Sequence, residues 1–307
     1  MHVIMNKTVM DEVRDMTTVM KEASRIEIMP RFGKINVEEK IGAGGKESVT
    51  AADRGASGYI LQRRRLVRPG SFSEEDIDDN RFLYYEAEEY DPVDGTDEFI
   101  AGILDGFAMH GALVHYTPGE NFYRSVGGVI YLPGKDKLWY SDGENVCYEV
   151  AGKTCDVPLP NREQLRGWVR DFDIKKEAKG CDRYGRVVNL AESMTRYYEQ
   201  IGKRLGLDVD IVHGGASGAS FADLLEGKTN IILVGWHDSK DWDIAMADPI
   251  VRARGGFICD FAGREYTYNR KDVLNRGGYV ASIAFKKEEI LPHISLDMVL
   301  SKQIPNF

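Results

Sequence analysis

The N-terminal third of the chain carries helical patterns of apolar residues separated by shorter extended runs. Between residues 8 and 30, apolar positions recur at intervals of three and four, at Val9, Val13, Met16, Val19, Met20, Ala23, Ile26 and Ile28. This spacing predicts an amphipathic helix that begins at Thr8 or Asp11 and ends near Pro30. The run ESVTAADRGASGYILQRRRL, residues 47–66, begins like a strand and then turns helical, and residues 82–93 look extended.

Runs of β-forming residues alternate with turns between residues 107 and 150. The turns fall at Pro118-Gly119, Pro133-Gly134 and Asp142-Gly143, so we predict an antiparallel meander. After Pro158 helical patterns alternate with short strands, with helices over 189–207, 220–227 and 243–256. This alternation predicts an α/β protein, with an α+β domain over residues 1–157 and an α/β domain over residues 158–307.

The composition limits the cellular compartment that we expect for the protein and the classes of partner that it can bind. The 307 residues contain no run of eighteen apolar residues, and the charged N-terminus does not resemble a signal peptide, so we expect a cytoplasmic protein without a membrane partner. The four cysteines form no CxxC pair, which fits a reducing compartment. A net charge of −9 disfavours a nucleic-acid polymer but allows a small phosphate ester, because bound cations can invert the local field.

The stretch YDPVDGTDEF, residues 90–99, concentrates oxygen ligands at one turn. Asp91, Asp94 and the carbonyl of Val93 would point together, and such ligands suit Mg²⁺ or Mn²⁺. Thr96 follows where a helix could begin, and helix N-termini bind phosphate well. The structural alternative is that Asp91 is a turn residue and Asp94 a helix cap.

Three further stretches change the balance between these interpretations. They are VTAAD, which ends at Asp53; SEED, residues 73–76; and the run from Trp242 to Gly256, which begins WDIA and ends in two glycines. Together with DPVDGT they resemble the inositol monophosphatase superfamily of magnesium-dependent, lithium-sensitive phosphatases. SEED and DGTDEFI favour its CysQ-like branch of 3′(2′),5′-bisphosphate nucleotidases. The resemblance implies a layered α-β-α-β-α sandwich.

The resemblance also implies a role for each matching residue. The first metal would be held by Glu74, Asp91 and the Val93 carbonyl, and the second by Asp91, Asp94 and Asp243. Asp53, Glu74 and Thr96 would orient a metal-activated water, and the site would take two or three Mg²⁺ ions, with Mn²⁺ as a substitute. The substrate would contact Asp94, Gly95, Thr96, Gly218, Ala219, Ser220 and Asp243, with Gly215 to Ser217 as the alternative turn.

Several neighbouring residues have two interpretations. Glu89 could be an extra ligand or an edge residue, and Glu74 is preferred over Glu75 although a loop lets either point inward. The segment Gln62–Arg68 could bind a second phosphate or be a solvated helix end. The remaining candidates are loop or packed residues: His237, Asp238 and Lys240 near the substrate, and His110, His115 and His213 in the core or at the surface.

We therefore expect a Mg²⁺-dependent phosphomonoesterase, with 3′(2′),5′-bisphosphate nucleotidase activity as the first hypothesis. The alternatives are an inositol monophosphatase or sugar phosphatase of the same fold, and a non-catalytic relative that binds metal or phosphate. A metal-dependent glycosyltransferase would leave Asp243 and its helix unexplained. The sequence is compatible with a homodimer, and it does not establish whether lithium inhibits.

Overall fold

The computed structural model describes residues 7–34, 37–42, 45–170, 179–182, 187–235, 239–294 and 300–301. The helices are α1 Val9–Ala23, α2 Ala51–Arg64, α3 Thr96–Ile100, α4 Leu190–Leu205, α5 Ser217–Leu225, α6 Trp242–Ala245, α7 Asp248–Ala253 and α8 Lys287–Ile290. In the part of the chain so described, no helix has both the length and the apolar character that a membrane crossing requires.

The strands are short except for three in the middle of the chain. Their bounds are β1 Glu38–Gly42, β2 Gly45–Val49, β3 Phe72–Ser73, β4 Glu86–Asp94, β5 Ala108–Thr117, β6 Phe122–Leu132, β7 Lys137–Ser141, β8 Val146–Val150, β9 Lys153–Thr154, β10 Leu165–Arg170, β11 Lys179–Asp182, β12 Val187–Asn189, β13 Val209–Gly214, β14 Ile232–Val234, β15 Phe257–Cys259, β16 Tyr279–Ser282 and β17 Leu300–Ser301.

The predicted N-terminal helix is present and continues beyond α1. Thr8 caps it by accepting a hydrogen bond from the backbone N–H of Asp11, whose carboxylate bonds back to Thr8. After Ala23 the chain continues as a π-helical turn, Ser24–Ile28, and a 3-10 turn that contains Pro30. The apolar side of α1 packs against β6, which explains its three- and four-residue spacing.

The large sheet has seven strands in the order β3-β4-β5-β6-β7-β8-β9. Strands β4 to β9 pair antiparallel, so the predicted meander is confirmed, while β3 lies parallel to β4. Helices α1 and α2 cover one face, and α5, α6 and α7 cover the other. Two separate hydrophobic cores form on these two faces.

The C-terminal half forms a second sheet on the far side of α5 and α7. β10 pairs with β13 in parallel, β16 lies between β14 and β15, and a bridge from Gly167 to Ile231 joins the two groups. Helix α4 packs outside β10 and β13, where a Cβ at Gly167 would lie 2.5 Å from the ring of Tyr198. The layers are therefore α-β-α-β-α, as predicted. The domain division at residues 157 and 158 stays a proposal.

Candidate active site

Strand β4 ends at a bulge that turns two carboxylates to the same side. Pro92 has no N–H to give to the ladder, and the register with β5 shifts between Asp91 and Asp94. The N–H of Val93 donates to Asp91 Oδ1 at 3.0 Å. Gly95 follows at φ +85°, where a Cβ would lie 2.8 Å from Ala216 Cβ. Asp91 and Asp94 are both buried, at 4% and 7% exposure.

Strand β3 brings Glu74 beside Asp91. Ser73 pairs with Tyr90 in parallel, and the N–H of Glu74 donates to the carbonyl of Tyr90 at 2.9 Å. The Glu74 carboxylate accepts from Trp242 Nε1 at 3.0 Å. Burial acts to raise the pKa of Glu74, but the ammonium groups of Lys240 and Lys40 outweigh it and lower that pKa. Lys40 also donates to the neighbouring carboxylate of Glu75.

Asp53 reaches the site from the first turn of α2. Its Oδ2 accepts from the N–H of Thr50 at 2.9 Å and from the Thr50 hydroxyl, which forms a capping box. Its Oδ1 lies 3.0 Å from the hydroxyl of Thr96, which is also 3.1 Å from the carbonyl of Val93. Burial raises the pKa of Asp53, although the hydrogen bonds from Thr50 oppose the shift.

Asp243 comes from the C-terminal half, in the first turn of the short helix α6. Its Oδ2 accepts from the N–H of Lys240 at 2.8 Å. Burial raises the pKa of Asp243 to about 7, with the Lys240 ammonium opposing and the Asp94 carboxylate adding to the shift. Burial likewise raises the pKa of Asp91 well above its usual value, and the charges of Glu74, Asp94 and Asp243 add to it. These carboxyls therefore share one electrostatic environment.

His110 is a buried part of this site that the sequence interpretation treated as isolated. It pairs with Asp91 across β4 and β5, and its Nε2 lies 3.2 Å from Asp94 Oδ2. Its Nδ1 donates to the carbonyl of Trp242 at 3.1 Å. Burial lowers the pKa of His110, but the Asp94 carboxylate raises it by more. The signal that could have found His110 is its register in the meander, opposite Asp91.

Only part of the predicted glycine-serine turn contacts the carboxylates of the site. The N–H of Gly218, in the first turn of α5, donates to Asp94 Oδ2 at 2.7 Å. Ser220 is buried and its hydroxyl donates to the carbonyl of Ser217, within the helix. Ala219 lines a neighbouring cavity of about 260 Å³ together with Glu98 and His213. The first copy of the turn lies beside Gly95 and Gly106: the N–H of Ala216 donates to the carbonyl of Gly106, and Ala216 Cβ is the nearest atom to a Cβ built at Gly95.

Most of the other candidate residues form hydrogen bonds or ion pairs outside this group of carboxylates. Glu89 is buried and accepts from the N–H of Asn269 at 2.8 Å. Arg64 is paired with Glu88, and Arg68 with Glu12 and Glu86. His115 lies 3.7 Å from Glu86. Lys240 contacts Glu74, whereas His237 and Asp238 lie outside the described residues.

The donor set fits a hard divalent cation. Ligand atoms of Asp91, Asp94 and His110 all lie within 4.8 Å of one another. Oxygen ligands suit Mg²⁺, while an imidazole that already pairs with a carboxylate is better suited to orient that ligand. Convergent carboxylates repel one another unless a cation or a proton intervenes, and the raised pKa of Asp91 records that repulsion together with burial.

Comparison with known proteins agrees with this geometry. The model of the inositol monophosphatase family matches residues 9–295. A fructose-1,6-bisphosphatase/inositol-1-monophosphatase of Thermotoga maritima is 24% identical over 257 residues, which cover 82% of this chain and 86% of that protein. The inositol-1-monophosphatase ImpA of Mycolicibacterium smegmatis is 25% identical over 194 residues, covering 60% of this chain and 59% of that protein.

Solved structures share the fold. An IMPase/NADP phosphatase complexed with Mg²⁺ and phosphate superposes with a TM-score of 0.66 at 14% identity, covering 96% of this chain and 99% of that one. CysQ from Bacteroides thetaiotaomicron superposes with a TM-score of 0.60 at 23% identity, covering 76% of this chain and 83% of that one. At these identities the likeness establishes the α/β fold and leaves the substrate open.

Proposed function

The chain belongs to the inositol monophosphatase family and is a metal-dependent phosphomonoesterase, and we propose that its substrate is a phosphate ester of an inositol or a sugar. One observation carries the location of the chemistry: at the end of β4, Asp91 is buried close to the carboxyl groups of Glu74, just after β3, of Asp94, in β4, and of Asp243, in α6, and their charges add to the rise in its pKa. The proposed substrate class rests on the two relatives: both are inositol-1-monophosphatases, and the one from Thermotoga maritima is also a fructose-1,6-bisphosphatase.

We propose Mg²⁺ as the cofactor, in two or three ions, with Mn²⁺ as a substitute. Glu74, Asp91 and the Val93 carbonyl would hold one ion, and Asp94 and Asp243 with Asp91 a second. When bound, Mg²⁺ supplies positive charge that stabilises the developing charge on the phosphate oxygens and makes water more acidic. A cation would also relieve the repulsion that raises the pKa of Asp91.

The chain's own groups would orient the attacking water and the phosphate. The hydroxyl of Thr96 donates towards Asp53 or the Val93 carbonyl, so its lone pairs are free to accept a hydrogen bond from a water. Asp53 is held in place by Thr50. The N–H groups of Gly95 and Thr96 would donate to phosphate oxygens, and the Gly218 N–H fixes the orientation of Asp94. We assign Ala219 and Ser220 to the substrate side only through their place in this turn.

The nucleotidase hypothesis has less support than the inositol or sugar phosphatase alternative. CysQ is one of several structural neighbours and no closer in fold than the IMPase/NADP phosphatase. The arginine segment that might have bound a second phosphate is already engaged: Arg64 and Arg68 form ion pairs, and Arg65 pairs with Asp76 at 2.8 Å. These ion pairs remove the support that the arginine segment gave to the nucleotidase hypothesis.

The test is phosphate release from a panel of substrates, with Mg²⁺ and with a chelator. The panel contains inositol 1-phosphate, fructose 1,6-bisphosphate and 3′-phosphoadenosine 5′-phosphate, and lithium is added in a parallel series. We expect Mg²⁺-dependent turnover of inositol 1-phosphate or fructose 1,6-bisphosphate, lost in Asp94→Asn and kept in Asp105→Asn. Asp105 is a matched control because it is paired with Lys135 at 2.8 Å and is well exposed.

The outcomes separate the remaining hypotheses. Preferred turnover of the nucleotide would restore the nucleotidase hypothesis. Mg²⁺ binding without any phosphate release would support a non-catalytic relative instead. The homodimer stays a prediction, which light scattering of the purified protein would test.

A further inference from the structure

Two lysine ammonium groups reach the same carboxylate from distant parts of the chain. Lys40, on β1, places its Nζ 3.2 Å from Glu74 Oε1. Lys240, just before α6, places its Nζ 2.9 Å from the same oxygen. The side chains of Lys40 and Lys240 are only 19% and 12% exposed, so solvent screens these pairs weakly.

Both oxygens of Glu74 are engaged by these contacts. Oε1 accepts from the two ammonium groups, and Oε2 accepts from Trp242 Nε1 at 3.0 Å. An ammonium group is a compact cation with three donors, so it neutralises a carboxylate but cannot accept electron pairs as a metal does. These three donors occupy most of the carboxylate's roughly four lone-pair sites, so a divalent ion that coordinates Glu74 either displaces a donor or shares the carboxylate with a nearby ammonium charge.

Lys240 is the more firmly held of the two lysines. Its Nζ also lies 2.7 Å from Glu47 Oε1, on β2. Its backbone N–H donates to Asp243 Oδ2, and its carbonyl accepts from Asn275 Nδ2 at 2.6 Å. The main chain of Lys240 is thus fixed beside the site, while each ammonium also contacts a second carboxylate, Glu47 for Lys240 and Glu75 for Lys40.

We infer that Lys240 competes with the divalent cation for Glu74: its ammonium stabilises the metal-free site and thereby lowers the affinity for Mg²⁺. The inference rests on the proposed function in one respect, namely that Glu74 is a metal ligand. The stability of the metal-free protein and its affinity for Mg²⁺ are therefore coupled. The free energy that the ammonium–Glu74 pair contributes without metal is lost when the metal binds, and this loss weakens Mg²⁺ binding. Removing Lys240 should therefore lower the stability of the metal-free protein and raise its affinity for Mg²⁺.

The experiment compares Lys240→Met with the wild-type chain by calorimetric Mg²⁺ titration without substrate and by thermal unfolding in chelator. We expect Lys240→Met to bind Mg²⁺ about tenfold more tightly, the size of a single charge-assisted contact. Its melting temperature in chelator should fall, and the rise in melting temperature on adding Mg²⁺ should be larger than in wild type. Lys135→Met, which removes an exposed lysine paired with Asp105, should change none of these quantities.

Further variants separate the charge from packing. Lys240→Gln keeps a donor for Glu74 without the charge, and it should also bind Mg²⁺ more tightly; Lys240→Arg should stay near the wild-type affinity. Unchanged or weaker Mg²⁺ binding in Lys240→Gln would overturn the inference, even if Lys240→Met proves too unstable to measure. Glu74→Gln tests the premise separately: if it binds Mg²⁺ and turns over substrate like wild type, the proposed ligand set fails, not only the role of Lys240.

Discussion

His110 ties three parts of the site together through one imidazole ring. Its Nε2 faces the Asp94 carboxylate, and its Nδ1 donates to the backbone of Trp242, which begins the helix that carries Asp243. The ring is fully buried, so both nitrogens depend on these partners. Groups that hydrogen-bond a metal ligand set its orientation and its basicity, which makes His110 a positioning residue for Asp94.

We predict that His110→Gln lowers kcat or weakens Mg²⁺ activation by about 10- to 100-fold. The amide can keep the contact to Asp94 or the one to the Trp242 carbonyl, but it cannot bridge the two as the ring does. The measurement is activity against Mg²⁺ concentration, together with the melting temperature. His115→Gln is the matched control, since His115 lies on the same strand and faces Glu86. Equal effects of both substitutions would show that His110 acts only through the stability of β5.

Glycine at position 218 is required by close packing. A Cβ there would lie 2.2 Å from His110 Nε2 and 2.6 Å from Ala108 Cβ. We predict that Gly218→Ala destabilises the protein by about 1–3 kcal/mol and lowers activity, because it pushes the Gly218 N–H away from Asp94. Gly58→Ala, in the middle of α2 with open space around it, should instead stabilise by about 0.4–1 kcal/mol. Chemical denaturation of both variants measures the difference.

At the scale of the elements, α1 and α2 begin with the same type of capping box, but the two boxes have different roles. In α1, Thr8 and Asp11 cap an exposed helix start. In α2, Thr50 and Asp53 cap a buried one, and Asp53 also contacts Thr96 in the site. In the proposed mechanism the second box therefore combines a local structural role with a catalytic one in the same carboxylate.

This duplication permits a controlled prediction. Thr8→Ala and Thr50→Ala should each cost about 0.5–2 kcal/mol of stability, as the loss of an N-cap does. Thr50→Ala should also lower kcat, because Asp53 loses the hydrogen bond from the Thr50 hydroxyl and keeps only the one from the backbone N–H of residue 50. Denaturation midpoints and kcat of the two variants, measured at a temperature where both are folded, provide the comparison. A normal kcat in Thr50→Ala would mean that Asp53 needs no help from its cap.

At the scale of the whole molecule, the buried carboxyl groups of the site reduce the stability of the folded protein when no metal is bound. Burial raises the pKa of Asp243 to about 7 and that of Asp91 well above its usual value. The folded protein therefore holds protons that the unfolded chain releases above about pH 4. The contribution of these groups to stability is present at low pH and is lost as pH rises through the folded pKa. Glu74, whose pKa is lowered, stays ionised in both states across this range.

We predict that the melting temperature in chelator falls between about pH 5 and pH 7.5. Asp243→Asn should flatten this profile, because an amide cannot titrate, and saturating Mg²⁺ should remove most of the slope in wild type. Thermal unfolding at three pH values, with and without metal, measures this. A flat profile in chelator would contradict the proposed crowding of carboxyl groups at the end of β4.

Much of the fold was predictable because its signals are local. The helical spacing before Pro30, the turns at Pro118, Pro133 and Asp142, and the alternation after Pro158 correspond to observed elements. The one helix predicted over residues 243–256 is instead divided into α6 and α7, with Pro249 in the first turn of α7. Short-range periodicity reports which face of an element is buried, and that is settled within a few residues. The order β14-β16-β15 has no such signal, because strand order depends on contacts between distant segments.

By itself the sequence determined which residues have chemistry to offer: the carboxylates of the DPVDGT and SEED stretches, the capping Asp53 and the helix-borne Asp243. Their residue types and turn chemistry are local properties, so they can be found along the chain. Only the tertiary structure decided which neighbours those carboxylates meet. It placed His110 opposite Asp91 through strand register, and Lys240 on Glu74 across 166 residues of chain. Such contacts between distant segments depend on how the two halves pack, which short-range pattern does not encode.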